Sequence, residues 1–479
     1  PYYRSGDYIG MSGIEQAYEE VLRGEKGVKI EMVDVHGIPK GSYANGIYDT
    51  LPSPGVAITC TIDGRLQAFA EELMQGKVGS VVAIEPATGE ILVMASSPTY
   101  DPDELVGRER GNNYMKLLDD PRRPLFNRAV MSSYPPGSTF KVVQGLIGLQ
   151  EGVLVPEQTY PCHGGYPYGR GMACHEHYSP LDLEGAIQNS CNAYFCYVFR
   201  NVIENKKYGD IDEGFDLWAD YVRSFGYGRK LGSDFTGELN GNVPEAAFYD
   251  KAYRGRWNGL TVISLSIGQG ELGCTPLQMA NMVATVATGA ITDSARRIHD
   301  RDSIDARFYE DHHTKVDARH FDPIVEGMYK AVNEGGTGRI AMVPGLDICG
   351  KTGTAQNPHG ADHSTFFCFA PRNDPKIAVS VYVENGRFGA TIAAPIASLL
   401  TELYLTDTIT RPALVDYVKN MQIAYPYYES SERENSLALG RVDWVTVAVY
   451  AALVLMGWLN IYAAVYDDAH ASIFDIGQR

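Results

Sequence analysis

No lysine- or arginine-rich run occurs in the chain, and acidic residues outnumber basic ones by 59 to 41, a formal net charge of −18. A nucleic-acid binder needs a basic face to displace counterions, so that class is set aside. Cysteine is sparse, 8 in 479 residues, running from Cys60 to Cys368. That density excludes a small disulfide-stapled scaffold but leaves the redox compartment open. There is no internal repeat and no low-complexity tract. With 44% hydrophobic and 21% charged residues the composition is that of an ordinary globular protein. The start lacks both an initiator Met and a basic-then-apolar signal segment, since residue 1 is Pro1. The expectation is a processed start or an excerpt of a longer chain. One long charge-free run is also strongly apolar. "WVTVAVYAALVLMGWLNIYAAV", Trp444 to Val465, holds 22 residues without a charge. At about 1.5 Å per residue it would cover roughly 33 Å, the hydrocarbon core of a bilayer.

What is present is patterned. "SGIEQAYEEVLRG" (Ser12 to Gly24) reads as an amphipathic helix capped by Ser12 and Glu15. "AITCTI" suggests a strand, and "DGRLQAFAEELMQ" a helix with Leu66, Phe69, Ala70 and Leu73 on one face. "GSVVAIEPATGEILVMASS" is a hairpin around a Pro-Ala-Thr-Gly turn. Helical patterns dominate from Ser138 to about Glu334, including "STFKVVQGLIGLQEG" and "TPLQMANMVATVATG" with Gly289 as C-cap. After Gly345 strands return in "DICGKTGTAQ", "STFFCFAP" and "KIAVSVYVENG", before a closing helix "TIAAPIASLLTELYL". Strands at both ends of a helical middle imply an α+β domain whose sheet is assembled from both ends.

The chemistry begins at "YPPGSTFK", where Ser138 stands three before Lys141. On a helix i and i+3 share a face, and the first turn favours developing negative charge. A desolvated lysine there can lose its proton and serve as base to the serine. S-x-x-K alone is weak, because a helix N-cap followed by a surface lysine gives the same letters. Two further pieces strengthen it: Ser190-Cys191-Asn192, an S-x-N, and Lys351-Thr352-Gly353 on a strand. The grouping S-x-x-K, S-x-N, K-T-G is that of penicillin-binding proteins and serine β-lactamases. A serine beside an asparagine can relay a proton to a departing amine, and a Lys-Thr pair on a strand edge can grip a carboxylate.

The sequence resembles the class B penicillin-binding proteins, most closely their elongation branch, from about Gly10 to Leu405. The resemblance rests on "GMSGIEQAYEEVLRG", "TIDGRLQ", "VVAIEPATGEILVMASSPTYDP", "LFNRAVMSSYPPGSTFK", "SIGQGELGCTPLQMA", "GKTGTAQN" and "AVSVYVENG". It implies the penicillin-binding/serine β-lactamase-like fold, an antiparallel sheet flanked by helices with an all-helical subdomain. It also implies a D,D-transpeptidase that cross-links peptidoglycan stem peptides and is acylated by β-lactams, with no cofactor required. By the resemblance Ser138 attacks, Lys141 takes its proton, Ser190 protonates the leaving group, and Asn192 fixes Lys141 and substrate. Lys351, Thr352 and Thr354 hold the terminal carboxylate, Gly353 permits close approach, and the N–H groups of Ser138 and Thr354 form the oxyanion hole. The expected organisation is a partial pedestal (1–55), the transpeptidase domain (56–406), a linker (407–441), a membrane helix (442–466) and a tail (467–479).

The tail departs from the family, whose anchor is N-terminal. It resembles the first membrane helix of a RodA-type (SEDS) glycan polymerase, the family's usual partner. Arg433 and Arg441 before the span place that side in the cytoplasm by the positive-inside rule. A periplasmic catalytic domain on the bacterial inner membrane then requires a second, N-terminal span, and the expectation is an excerpt of a fusion or a read-through. "PCHGGYPYGRGMACHEHYS" offers Cys162, Cys174 and His177 as three ligands for a structural zinc, with a Cys162–Cys174 disulfide as the competing reading. Cys191 and Cys196 read as core packing, Asp362-His363 as structural, and "GTGR" (Gly336 to Arg339) as cleft lining. Two rival functions stand: a serine β-lactamase, and a non-catalytic β-lactam sensor or scaffold that activates a glycan polymerase.

Overall fold

The computed structural model describes residues 2–3, 7–289, 291–292, 312–426 and 428. One compact unit spans Pro1–Ala424, and the other, Tyr425–Arg479, has only three described residues. The expected membrane helix at 442–466 and the tail lie outside the described residues. Among those described, no helix is long and apolar enough to cross a membrane.

Five antiparallel strands form the central sheet, in the order Ile91–Ser97, Gly79–Ile84, Ile377–Val383, His363–Ala370, Cys349–Ala355. The first two come from the N-terminal hairpin and the rest from the C-terminal end, as the α+β reading expects. Side chains alternate across the pleat, so each strand feeds two cores. Val81, Ala83, Phe366, Cys368, Val379 and Val381 face a layer containing Leu66, Ala70, Ile396 and Leu400. Val82, Ile84, Phe367, Phe369 and Tyr382 face the helical lobe with Phe140, Leu146, Phe195 and Trp218. Both faces are covered, which is why these strands read as nearly continuous apolar runs.

The helix Gly64–Met74 starts where Asp63 accepts from the N–H groups of Arg65 and Leu66, and buries Leu66, Ala70, Leu73 and Met74. Pro276–Thr288 carries a full capping box between Thr275 and Gln278 and ends on Gly289 at φ +74°. Three expectations fail. Ser12 caps nothing, and the helix expected after it is two short ones, Gly13–Ala17 and Glu19–Leu22, with no buried residue. "AITCTI" forms no strand; the chain there meets the sheet only through Thr61 Oγ1 to Ile91 O at 2.7 Å and Asp63 N to Leu92 O at 3.0 Å. The first part of the expected linker is a helix, Pro412–Asn420, that buries Val418. It is preceded by Arg411, which pairs at 2.9 Å with the fully buried Glu402 of Ala393–Thr406.

Two helices carry the site. Lys141–Gln150 and Asn192–Ile203 approach closely because Gly148 has no side chain: a Cβ there would meet Val198 Cγ1 at 2.5 Å. Gly145 makes the same room for Ile324 and Phe195. Each glycine costs a helix about 1 kcal/mol relative to alanine; here that cost brings the two chemical motifs within reach of one another.

Candidate active site

Ser138 is the second residue of a 3-10 turn, Gly137–Phe140, that runs straight into the helix Lys141–Gln150. The Pro135-Pro136-Gly137 corner sets it there. Gly137 holds φ +59°, donates its N–H to Gly268 O at 2.8 Å, and would drive a Cβ to 2.6 Å from Thr354 O. Only glycine satisfies both demands. Ser138 is half-buried, and its hydroxyl makes no hydrogen bond among the described residues.

Lys141 is fully buried. Its Nζ donates to Ser190 O at 2.7 Å and Asn192 Oδ1 at 2.5 Å, and lies 3.2 Å from Ser190 Oγ. Lys351, also fully buried, reaches the same Ser190 Oγ at 2.8 Å and Thr352 O at 2.7 Å. Ser190 is held at φ +53°, a left-handed conformation costly for a residue with a Cβ, which turns both its carbonyl and hydroxyl to the lysines. Burial lowers Lys141 to about 8. Burial, and then the charge of Lys141, lowers Lys351 well below the ordinary lysine range. One hydroxyl between two amines, both stripped of water, can donate to one and accept from the other, so the trio can pass a proton.

The K-T-G strand, Cys349–Ala355, is an edge of the sheet, so alternate backbone groups face the cleft. Thr352 shares a 2.7 Å hydrogen bond with Thr337, which hangs from Gln188 O by its own N–H at 3.1 Å. The "GTGR" turn thus ties the S-x-N side to the K-T-G side. At Gly353 a Cβ would strike Thr365 Cγ2 at 2.5 Å and Thr139 Cγ2 at 2.9 Å. The residue after Ser138 therefore packs directly on the strand. Thr354 accepts from Gln269 Nε2 at 3.1 Å.

Beside this lies the cysteine cluster. Ligand atoms of Cys162, Cys174, His177 and Cys191 all fall within 4.8 Å of one another. None of the eight cysteines is in a disulfide. Cys191, read from the sequence as core packing, is the fourth member. Hydrogen bonding, from Cys191 foremost and also from the Asn192 N–H and His177, pulls the Cys174 thiol far down in pKa despite its burial. Cys174 Sγ accepts the Asn192 N–H at 3.3 Å and sits 3.3 Å from His177 Nε2, while Asn192 Nδ2 donates to Ala173 O at 2.6 Å. The cluster is thus one hydrogen bond from the residue that holds Lys141.

Sequence reasoning located Ser138, Lys141, Ser190, Asn192, Lys351, Thr352, Gly353 and Thr354, which the fold gathers in one cleft. It did not single out Gln269, and Cys191, read as core packing, is buried in the core as well as being the fourth member of the cluster. Asp362 Oδ1 accepts from Asn357 N at 3.2 Å and His363 Nδ1 from Asn385 N at 3.1 Å, so both fix turns near the cleft's end.

Comparison with known proteins agrees with this geometry. The profile of the penicillin binding protein transpeptidase domain matches residues 79–402, and that of the penicillin-binding protein dimerisation domain matches residues 1–59. The chain is 30% identical over 443 residues to the peptidoglycan D,D-transpeptidase MrdA of Acinetobacter baumannii, covering 86% of this chain and 62% of that protein. Against MrdA of Escherichia coli the figures are 29% over 436 residues, 85% and 66%. The chain therefore spans a little under two thirds of the length of these two relatives. Among solved structures, Pseudomonas aeruginosa PBP2 in complex with WCK 5153 superposes with a TM-score of 0.69 at 33% identity, covering 83% of this chain and 84% of that one. The complex of PBP2 and MreC from Helicobacter pylori gives 0.69 at 26%, covering 83% and 72%.

Proposed function

Because the chain belongs to the penicillin-binding protein transpeptidase family, we propose that it is a peptidoglycan D,D-transpeptidase of cell elongation, acting through an acyl-serine. The observation that carries this is the buried Lys141–Ser190–Lys351 trio, whose Lys141 opens the helix that the turn bearing Ser138 runs into. Ser138 Oγ attacks the penultimate D-Ala carbonyl as neutral Lys141 takes its proton. The N–H groups of Ser138 and Thr354 receive the oxyanion, each such donor being worth about 3 kcal/mol in acyl transfer. The C–N bond then breaks, and Ser190, resupplied by its two lysines, protonates the departing D-Ala amine. Lys351, Thr352 and Thr354 bind the terminal carboxylate; Thr352 comes ready oriented by Thr337. An amine of a second stem peptide attacks the ester, forming the cross-link and returning Ser138. Presented with a D-Ala–D-Ala stem peptide and an acceptor amine, the protein should release D-Ala and form the cross-linked product. Release of D-Ala with hydrolysis alone would remove transfer from the reading.

The same reading places the catalytic domain on the periplasmic side of a bacterial inner membrane, beside a RodA-type SEDS polymerase. A polymerase partner is supported by a structural neighbour, a peptidoglycan synthase complex in which polymerization and crosslinking are coordinated, with a TM-score of 0.69 at 27% identity.

A structural zinc fits the cysteine cluster. Three sulfurs and one imidazole nitrogen are the donors zinc prefers, and all four lie within 4.8 Å of one another. Cys162, Cys174, His177 and Cys191 would hold it, leaving no open position. Its contribution is structural: it would lock Cys191 and Cys174, and with them Ser190 and Asn192. Purified protein is expected to carry one zinc per chain by elemental analysis. Cys174→Ser should lose it and melt several degrees lower. Protein without metal, lighter by two hydrogens under denaturing conditions, would instead establish a disulfide.

A further inference from the structure

The outer edge of the Cys349–Ala355 strand presents carbonyls at alternate residues, Thr352 and Thr354, and each is taken by a side chain. Lys351 takes the first at 2.7 Å, and Gln269 takes the second at 3.1 Å. In an extended strand a residue's N–H and C=O point to the same side. The two lie in adjacent peptide planes joined at the Thr354 Cα, so a clamp on the carbonyl restrains the N–H through the φ and ψ of Thr354. Gln269 is well placed to do so. It is 8% exposed and sits between Gly268 and Gly270, at φ +72° and +74°, with its own N–H bound to Ser264 O at 3.1 Å. Its neighbour Gly268 offers its carbonyl to Gly137 N at 2.8 Å, one residue before Ser138. A Cβ on Gly268 would lie 2.3 Å from Gly137 O, so this contact is tight. Two adjacent residues of one turn thus hold both walls from which the oxyanion donors project, Gly137–Ser138 on one side and Thr354 on the other.

The geometry points to Gln269 as a positioning residue for the oxyanion hole: its amide holds the Thr354 carbonyl and so restrains the Thr354 backbone from which the N–H donor projects. The inference rests on Ser138 being the acylated serine. Gln269 touches no reacting atom; it acts through Thr354.

The test is Gln269→Met, which keeps length and bulk and removes the donor. Acylation of the full chain by a penicillin is followed by stopped flow, resolving drug binding from the acylation step. The infrared carbonyl stretch of the acyl-enzyme, which falls as oxyanion hydrogen bonds strengthen, is the second readout. The acylation step should slow by about 10- to 100-fold, less than the loss of a whole donor, with drug binding unchanged and the ester stretch at higher frequency. Equal rate and equal frequency would overturn the inference, as would a variant whose melting temperature collapses, since Gln269 would then be part of the frame alone. A wild type that forms no acyl-enzyme would overturn the acyl-serine reading itself. A wild type that acylates and is matched by Gln269→Met removes only the clamp.

Discussion

Ser138→Ala, incubated with a penicillin, should show no mass adduct where the wild type gains one drug mass per chain. The substitution removes one oxygen from a half-buried side chain. The hydrogen bonds of Lys141 go to Ser190 and Asn192, those of Lys351 to Ser190 and Thr352, so neither lysine loses a partner. The fold and the charge distribution of the cleft therefore remain, and the loss is chemical. Removing the nucleophile of an acyl-transfer enzyme typically costs about 10⁶ in turnover, which places acylation below detection. Ser190 is the next hydroxyl in the cleft, but its oxygen is engaged by two amines, Lys141 Nζ at 3.2 Å and Lys351 Nζ at 2.8 Å. An adduct retained in Ser138→Ala would move the nucleophile and sink the reading. An adduct in the wild type that decays as hydrolysed drug accumulates would turn the protein into a β-lactamase. No adduct in either would leave the scaffold role.

Why were some of these features readable in the sequence and others not? Ser138 and Lys141 are three residues apart on one turn, so their shared face follows from local geometry. The strands were legible because their alternation feeds two cores and leaves long apolar runs bounded by turns. "AITCTI" has the composition of a strand but no neighbour to pair with, and composition does not reveal a partner. Pro412–Asn420 was hidden because its apolar face is small, Val418 buried with Leu414 and Val415 partly buried beside it. Gln269 was invisible for a different reason: its partner Thr354 lies 85 positions away, and only the fold brings the two together. Cys191 sat inside a motif whose flanking serine and asparagine drew the reading. Its side chain is buried in the core, where Cys162, Cys174 and His177 converge on it.

The second large effect is expected at Lys141, in its dependence on pH. Burial disfavours the ammonium form, so the amine titrates at about 8 where an exposed lysine titrates at 10.5. The neutral amine is the base. Below that pH the acylation rate should rise about tenfold per pH unit and then level off, with roughly a tenth of the lysine competent at pH 7. Lys351 is lowered as well, by burial and then by the charge of Lys141, so the limb is assigned by substitution at Lys141 itself. Lys141→Met should fall by on the order of 10³ or more and lose the limb altogether. Stability carries the same signature with a definite sign. The folded-state value is below the unfolded one, so between about 8 and 10.5 the unfolded chain binds more protons than the folded one. Unfolding then takes up a proton, and stability rises with pH through that window. Urea midpoints of wild type and Lys141→Met at pH 7 and pH 10 isolate the term, since every other group is common to both. The wild type should gain on the variant as pH increases. A flat rate profile together with parallel stabilities would mean that Lys141 stays charged, and the proton of Ser138 would have to leave by way of Ser190 and Lys351 instead.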